Sequence, residues 1–102
     1  MLFRSCAPVS CPDGGVIVRL GGRAIENARV VAQDVSGPID ASGQVLPSGS
    51  ARAGSDGRWE ITLGPQLDGM GRVRAVQRGH LIEVFQVNDA GEASNTVTLL
   101  VR

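Results

Sequence analysis

The sequence predicts an all-β sandwich of about seven short strands, and three observations predict it. Apolar and polar residues alternate with period two in several separate runs, each bounded by Gly, Pro, Asn, Asp or Ser. Fourteen Gly and five Pro in 102 residues supply many turns, which suits short strands better than long helices. No segment carries the i, i+3, i+4, i+7 apolar stripe of an amphipathic helix. The length is that of one domain, and a hydrophobic fraction of 42% is enough to fill its core. Aromatics make up only 3%, so that core must rest on Val, Leu, Ile and Ala.

The elements follow in order. Residues 1–15 form an irregular N-terminal arm holding Pro8, Pro12, both cysteines and a closing Asp13-Gly14-Gly15 turn, and residues 16–102 form the domain proper. In the first strand Val16, Val18 and Leu20 share one face and Ile17 and Arg19 the other, until Gly21-Gly22 ends the run. Ala28, Val30 and Ala32 alternate with Arg29, Val31 and Gln33 in a second strand. From Gly37 to Gly54 the chain is rich in Gly, Pro and Ser, so this stretch is expected to be loop with one or two short edge strands, a weak one around Gln44 to Leu46. Ser55-Asp56-Gly57 then turns the chain into the clearest strand, in which Trp59, Ile61 and Leu63 alternate with Glu60 and Thr62. Gly64-Pro65 stops it. A strand from Arg72 to Gln77 is expected to face Val73 and Ala75 inward, and Arg78-Gly79 turns it into Leu81 to Val87. After the Asn88-Asp89-Ala90-Gly91 turn, Val97, Leu99 and Val101 alternate with Thr96 and Thr98 in a final strand.

Trp59 offers the largest single apolar surface, so it is expected to anchor the core against residues of the opposite sheet such as Val30 and Val97. An exposed platform for a ligand is the alternative role for it. The strand from Leu81 to Val87 differs from the rest, because Leu81, Phe85 and Val87 point one way and Ile82 and Val84 the other. A strand apolar on both faces is usually covered on both, whereas a two-layer sandwich leaves one face wet. Either the arm covers this strand or a partner does. Leu81, Ile82, Val84 and Phe85 are therefore the candidate interface residues, with the inner face undecided.

Ten basic and ten acidic residues cancel, so the long-range attraction that nucleic acid and anionic membranes exert on basic proteins is missing. All ten basic residues are Arg. No run approaches the roughly 18 apolar residues of a membrane span. His80, the one histidine, stands beside Arg78-Gly79 in a turn and is expected to be solvated, and no Gly-x-Ser-x-Gly elbow accompanies it. Asp34, Asp56, Asp68 and Asp89 fall at turns or strand ends without the Asp-x-Asp-x-Asp-Gly loop of a calcium site, and are expected to form turns. Cys6 and Cys11 enclose four residues and are candidates for a local disulfide; free thiols, a metal or an intermolecular bridge are the other readings. The expectation is a chain with no catalytic residues, no metal and no cofactor.

Asp56-Gly57-Arg58-Trp59 opening a strand, then Leu67-Asp68-Gly69, then Val73-Arg74-Ala75, then Asp89-Ala90-Gly91-Glu92-Ala93-Ser94 before Thr96-Val97-Thr98-Leu99 is an ordered set of generic pieces. Over Val16 to Val101 this order resembles the bacterial immunoglobulin-like domains that recur in surface adhesins and decorate virions and tail-like particles. The resemblance implies an immunoglobulin-like β-sandwich acting as a non-enzymatic structural or adhesive module of a larger assembly, with a protein partner or self-association. Two departures stand out: Gly71 occupies a place where an aromatic residue is usual, and Arg78 to Val87 is longer than the corresponding passage, which implies an extra strand or extended hairpin. Met1 to Cys6 lacks the apolar run of a secretory signal, which tips the expectation toward a virion or particle surface over a bacterial cell surface. A carbohydrate-binding module with a glycan ligand is the alternative, weakened by a single Trp and no Tyr.

Overall fold

The computed structural model of the chain describes residues 2–5, 15–37, 45–88, 91–94 and 96–102. None of these residues is helical. The described residues form ten strands: β1 (Leu2–Ser5), β2 (Gly15–Arg23), β3 (Arg29–Asp34), β4 (Ser48–Arg52), β5 (Arg58–Leu63), β6 (Gln66–Leu67), β7 (Val73–Arg74), β8 (Val76–Gln77), β9 (Leu81–Val87) and β10 (Val97–Leu100). One four-stranded sheet runs β1-β2-β5 with β8 also on β2; a second runs β10-β9-β3-β4; β6 and β7 form a separate hairpin. Every pairing among these strands is antiparallel. The architecture is all-β, with an arrangement compatible with a sandwich.

Alternation decides which side chains meet. Val16, Val18 and Leu20 of β2, Ile61 and Leu63 of β5 and Val76 of β8 join Val30 and Ala32 of β3 and Ile82 and Val84 of β9 in one buried cluster, closed by Val101. The core is thus aliphatic and shared between the two larger sheets. Gly49 of β4 faces it without a side chain, and a Cβ there would lie 3.0 Å from the Ile61 Cγ2. The close approach of β4 to β5 depends on that missing group.

The turns use the chemistry their residues carry. Asp56 Oδ1 accepts the Arg58 N–H at 3.0 Å, while Gly57 takes a φ of 81° and gives its carbonyl to the Ala24 N–H at 2.8 Å. Gly79 (φ 90°) serves the turn between β8 and β9, and Asn88 Oδ1 accepts the Glu92 N–H at 2.9 Å ahead of β10. Gly71 (φ 77°) closes the β6–β7 hairpin, a position where the left-handed backbone excludes the aromatic residue that the resemblance would place there.

Several expectations are corrected. The N-terminal arm is not irregular at its start: Leu2–Ser5 pair with Arg19 to Val16 as β1. Cys6 and Cys11 lie outside the described residues. The expected strand from Arg72 to Gln77 is broken at Ala75 into β7, which pairs with β6, and β8, which pairs with β2. Val73 consequently lies exposed on the hairpin while Ala75 is buried. The weak strand around Leu46 gives way to β4 a few residues later, an edge strand of Ser, Gly, Ala and Arg that carries almost no hydrophobic signal.

Val30 is a core residue, but Val97 is not: it is 56% exposed, because β10 is the outermost strand of its sheet. Trp59 is inward-facing but half-buried and sits at the margin of the core, opposite Gly22 on β2. A Cβ on Gly22 would come within 3.1 Å of the indole ring. The glycine that was expected only to end a strand makes the slot in which the tryptophan lies.

Candidate functional site

The site grows from the alternation of β9. Ile82 and Val84 point into the core and are buried, which removes them from the candidate interface: a partner cannot reach them while the fold stands. Leu81, Glu83, Phe85 and Val87 point outward. Register then builds a surface around them. Val31 of β3 lies directly opposite Phe85, and Leu100 of β10 directly opposite Leu81. Leu81 is 40% and Leu100 47% exposed, with Phe85, Val87 and Val31 half-buried beside them. Thr98, Glu83 and Gln33 form a polar row across this outer face, between the Leu81–Leu100 pair and the Phe85–Val31 pair, and Arg29 borders it beside Val87.

The described part of the arm, β1, adds to β2 in the other sheet. Exposed apolar patches set among polar residues on a sheet face are the make-up of many interaction surfaces.

At the start of β9 stands a buried polar cluster that sequence reading missed. The Asp34 carboxylate is fully buried at the end of β3, with Oδ2 2.6 Å from Nδ1 of His80 and Oδ1 accepting the Ser36 N–H at 3.0 Å. Ser36 Oγ in turn accepts the Leu81 N–H at 2.7 Å. His80 is therefore not a solvated turn residue. A 3.4 Å approach of the Gln77 N–H to the same Nδ1 is secondary, because a ring nitrogen sharing its proton with Asp34 has no lone pair left to accept it. The remaining face of the imidazole borders a cleft of about 390 Å³ with Ser36, Gln77 and Arg74. Asp34 and His80 lie far apart in the chain, so no local pattern could have joined them.

Asp68 forms a second cluster in the β6–β7 loop. Its Oδ1 accepts the Met70 and Arg72 N–H groups at 2.8 and 2.9 Å, and Oδ2 takes the Arg74 Nε at 2.8 Å. The Arg72 N–H above all, helped by the Met70 N–H and the Arg74 guanidinium, holds this carboxyl below its ordinary value against the opposing effect of burial. These are turn-forming contacts, as expected of Asp68.

The ends of the sheets carry two further depressions. One, of about 590 Å³, lies between the β2–β3 turn and the segment after β9, with Ile25, Asn27, Arg52 and Gln86 in its lining. The other, shallower, exposes the free edge of Trp59 among Arg23, Arg52 and Arg58. Among the described residues, no three His, Cys, Asp or Glu side chains gather as metal ligands, and no helix is long and apolar enough to cross a membrane. Comparison of the chain with protein-family models, with curated proteins and with solved structures gives no match.

Proposed function

We propose that the chain is a non-enzymatic immunoglobulin-like module that acts by docking, as a structural or adhesive part of a larger assembly. The observation that carries this reading is the outward face of β9, where Phe85, Val87 and Val31 form one apolar patch and Leu81 and Leu100 a second, parted by the Thr98–Glu83–Gln33 row, with no described strand covering either. A protein partner is the occupant this chemistry favours, because apolar patches interleaved with polar residues are the make-up of a protein interface, and the face offers little net charge for a nucleic acid. Particle surface and cell surface are both settings in which such a module works.

The experiment compares Phe85→Glu with Ile82→Glu. Phe85 lies on the outer face, so the first variant should keep its circular dichroism and melting temperature within a few degrees of wild type while losing capture of the native assembly. Ile82 lies in the core, so the second should unfold, since an unpaired charge there costs several kcal/mol. Capture undiminished in folded Phe85→Glu would refute docking through this face.

A glycan-binding reading has one observation in its favour, the exposed edge of Trp59 among Arg23, Arg52 and Arg58. A glycan array probed with wild type and Trp59→Phe separates it from protein docking.

A further inference from the structure

We infer that β10 is an open sheet edge through which the chain pairs with a second copy of itself, by antiparallel strand addition about a two-fold axis at Leu99. The inference concerns the backbone edge of β10 and does not depend on the outer face of β9 proposed above.

Hydrogen-bond directions define the edge. The Val101 N–H bonds the His80 carbonyl at 3.0 Å, and on the other side of β9 the Val35 N–H bonds the Leu81 carbonyl at 3.0 Å. Backbone groups alternate in direction along an antiparallel ladder. Val97, Leu99 and Val101 therefore turn theirs toward β9, and Thr98 and Leu100 turn theirs away, to the side on which β10 has no neighbour among the described strands.

The side chains complete the picture. β10 is apolar on both faces, with Val97 56% exposed on the core-facing side and Leu100 47% exposed on the outer side. One added strand covers both. Among the described residues five strands lie at the edges of the two larger sheets; three contain charge, Arg4 in β1, Arg58 and Glu60 in β5 and Arg52 in β4, and the fourth, β8, is only the two residues Val76–Gln77. Charges of this kind discourage edge-to-edge pairing. β10, with the sequence Val-Thr-Leu-Leu, has none.

The absence of charge is what selects a second copy as the occupant. In a two-fold antiparallel pair each residue meets its own kind or its mirror position, so any charge on the strand faces a like charge nearby. With the axis at Leu99, Thr98 lies opposite Leu100 of the other copy, and these two exchange both of their outward backbone hydrogen bonds. Val97 then lies opposite Val101. The Leu81–Leu100 row of each copy then continues into Thr98 and Glu83 of the other on one continuous sheet.

Thr98→Pro tests this, because proline removes the outward N–H and leaves the bonds to β9 intact. Sedimentation equilibrium of the full chain across the micromolar range should show a wild-type dimer and a Thr98→Pro dissociation constant raised roughly tenfold or more. Should Thr98→Pro fail to fold, Thr98→Lys keeps every backbone donor and places like charges close to the axis; it should weaken the dimer similarly, with partial recovery in high salt. Phe85→Glu should leave the dimer unchanged. A monomeric wild type overturns the inference, as does a dimer that withstands the Thr98 substitutions. A dimer broken by Phe85→Glu alone overturns it too, and assigns self-association to the sheet face instead.

Discussion

Gly57 shows how much a single residue can decide. Its φ of 81° lies in the left-handed region, and a Cβ built there would stand 2.5 Å from the Ala24 carbonyl oxygen, a backbone atom that cannot swing aside. Gly57→Ala therefore meets both strain and collision. The expected cost is at least about 2 kcal/mol, a fall in melting temperature of roughly 10 °C in a thermal melt, while Gly79→Ala, with open space around its Cβ, should cost less. This need was legible in the sequence, since Asp-Gly before an alternating run announces a turn with positive φ. The partnership of Gly22 with Trp59 was not. Nothing local distinguishes a glycine that ends a strand from one that lies beneath an indole on the next strand.

At the scale of elements, strands with strong alternation were legible and strands without it were not. β9 runs from Leu81 to Val87 as its sequence implies, because its apolar residues are flanked by turn formers at both ends. β4 carries one half-buried alanine among Ser, Gly and Arg, and owes its existence to pairing with β3. The β6–β7 hairpin is likewise made by its loop, where Asp68 organises two backbone donors and Arg74. Because the folded carboxyl is held below its unfolded value near pH 3.9, its contribution is present above that value and is lost as pH falls through the lowered folded value. Melting curves of wild type and Asp68→Asn between pH 2 and pH 7 should diverge most near neutrality and converge at the acid end. A constant offset across the range would show that the charge of Asp68 is not what stabilises the loop.

For the whole molecule, the alternation of each strand predicted one shared core, but which strands lie side by side was beyond reach. That depends on contacts between distant residues, and the Asp34–His80 pair is the sharpest case. It ties the end of β3 to the connection that carries the chain from β8 in one sheet to β9 in the other. His80→Ala leaves a buried carboxylate without its partner and should destabilise by roughly 2–4 kcal/mol, somewhat below the full cost of breaking a buried pair because His80 keeps some exposure. Asp34→Ala in the same chain should restore part of that loss in urea unfolding. The outer face of β9 was legible in part: of the four residues singled out in the sequence, Leu81 and Phe85 point outward and Ile82 and Val84 into the core, while Val31 and Leu100 are brought alongside by register alone.

That same register governs how the molecule can assemble in time. Leu20 lies opposite Ile61, and Val31 opposite Phe85, so the central strand pairs of both sheets join early to late parts of the chain. Neither sheet can be completed from neighbouring segments alone, and no succession of local hairpins leads to the core. Large loops must close before the contacts that reward them exist, which places folding toward the slow end for a chain of this size. Until β9 pairs with it, β3 offers the apolar run Val30-Val31-Ala32 to other unfinished copies, an exposure that favours association between incomplete chains.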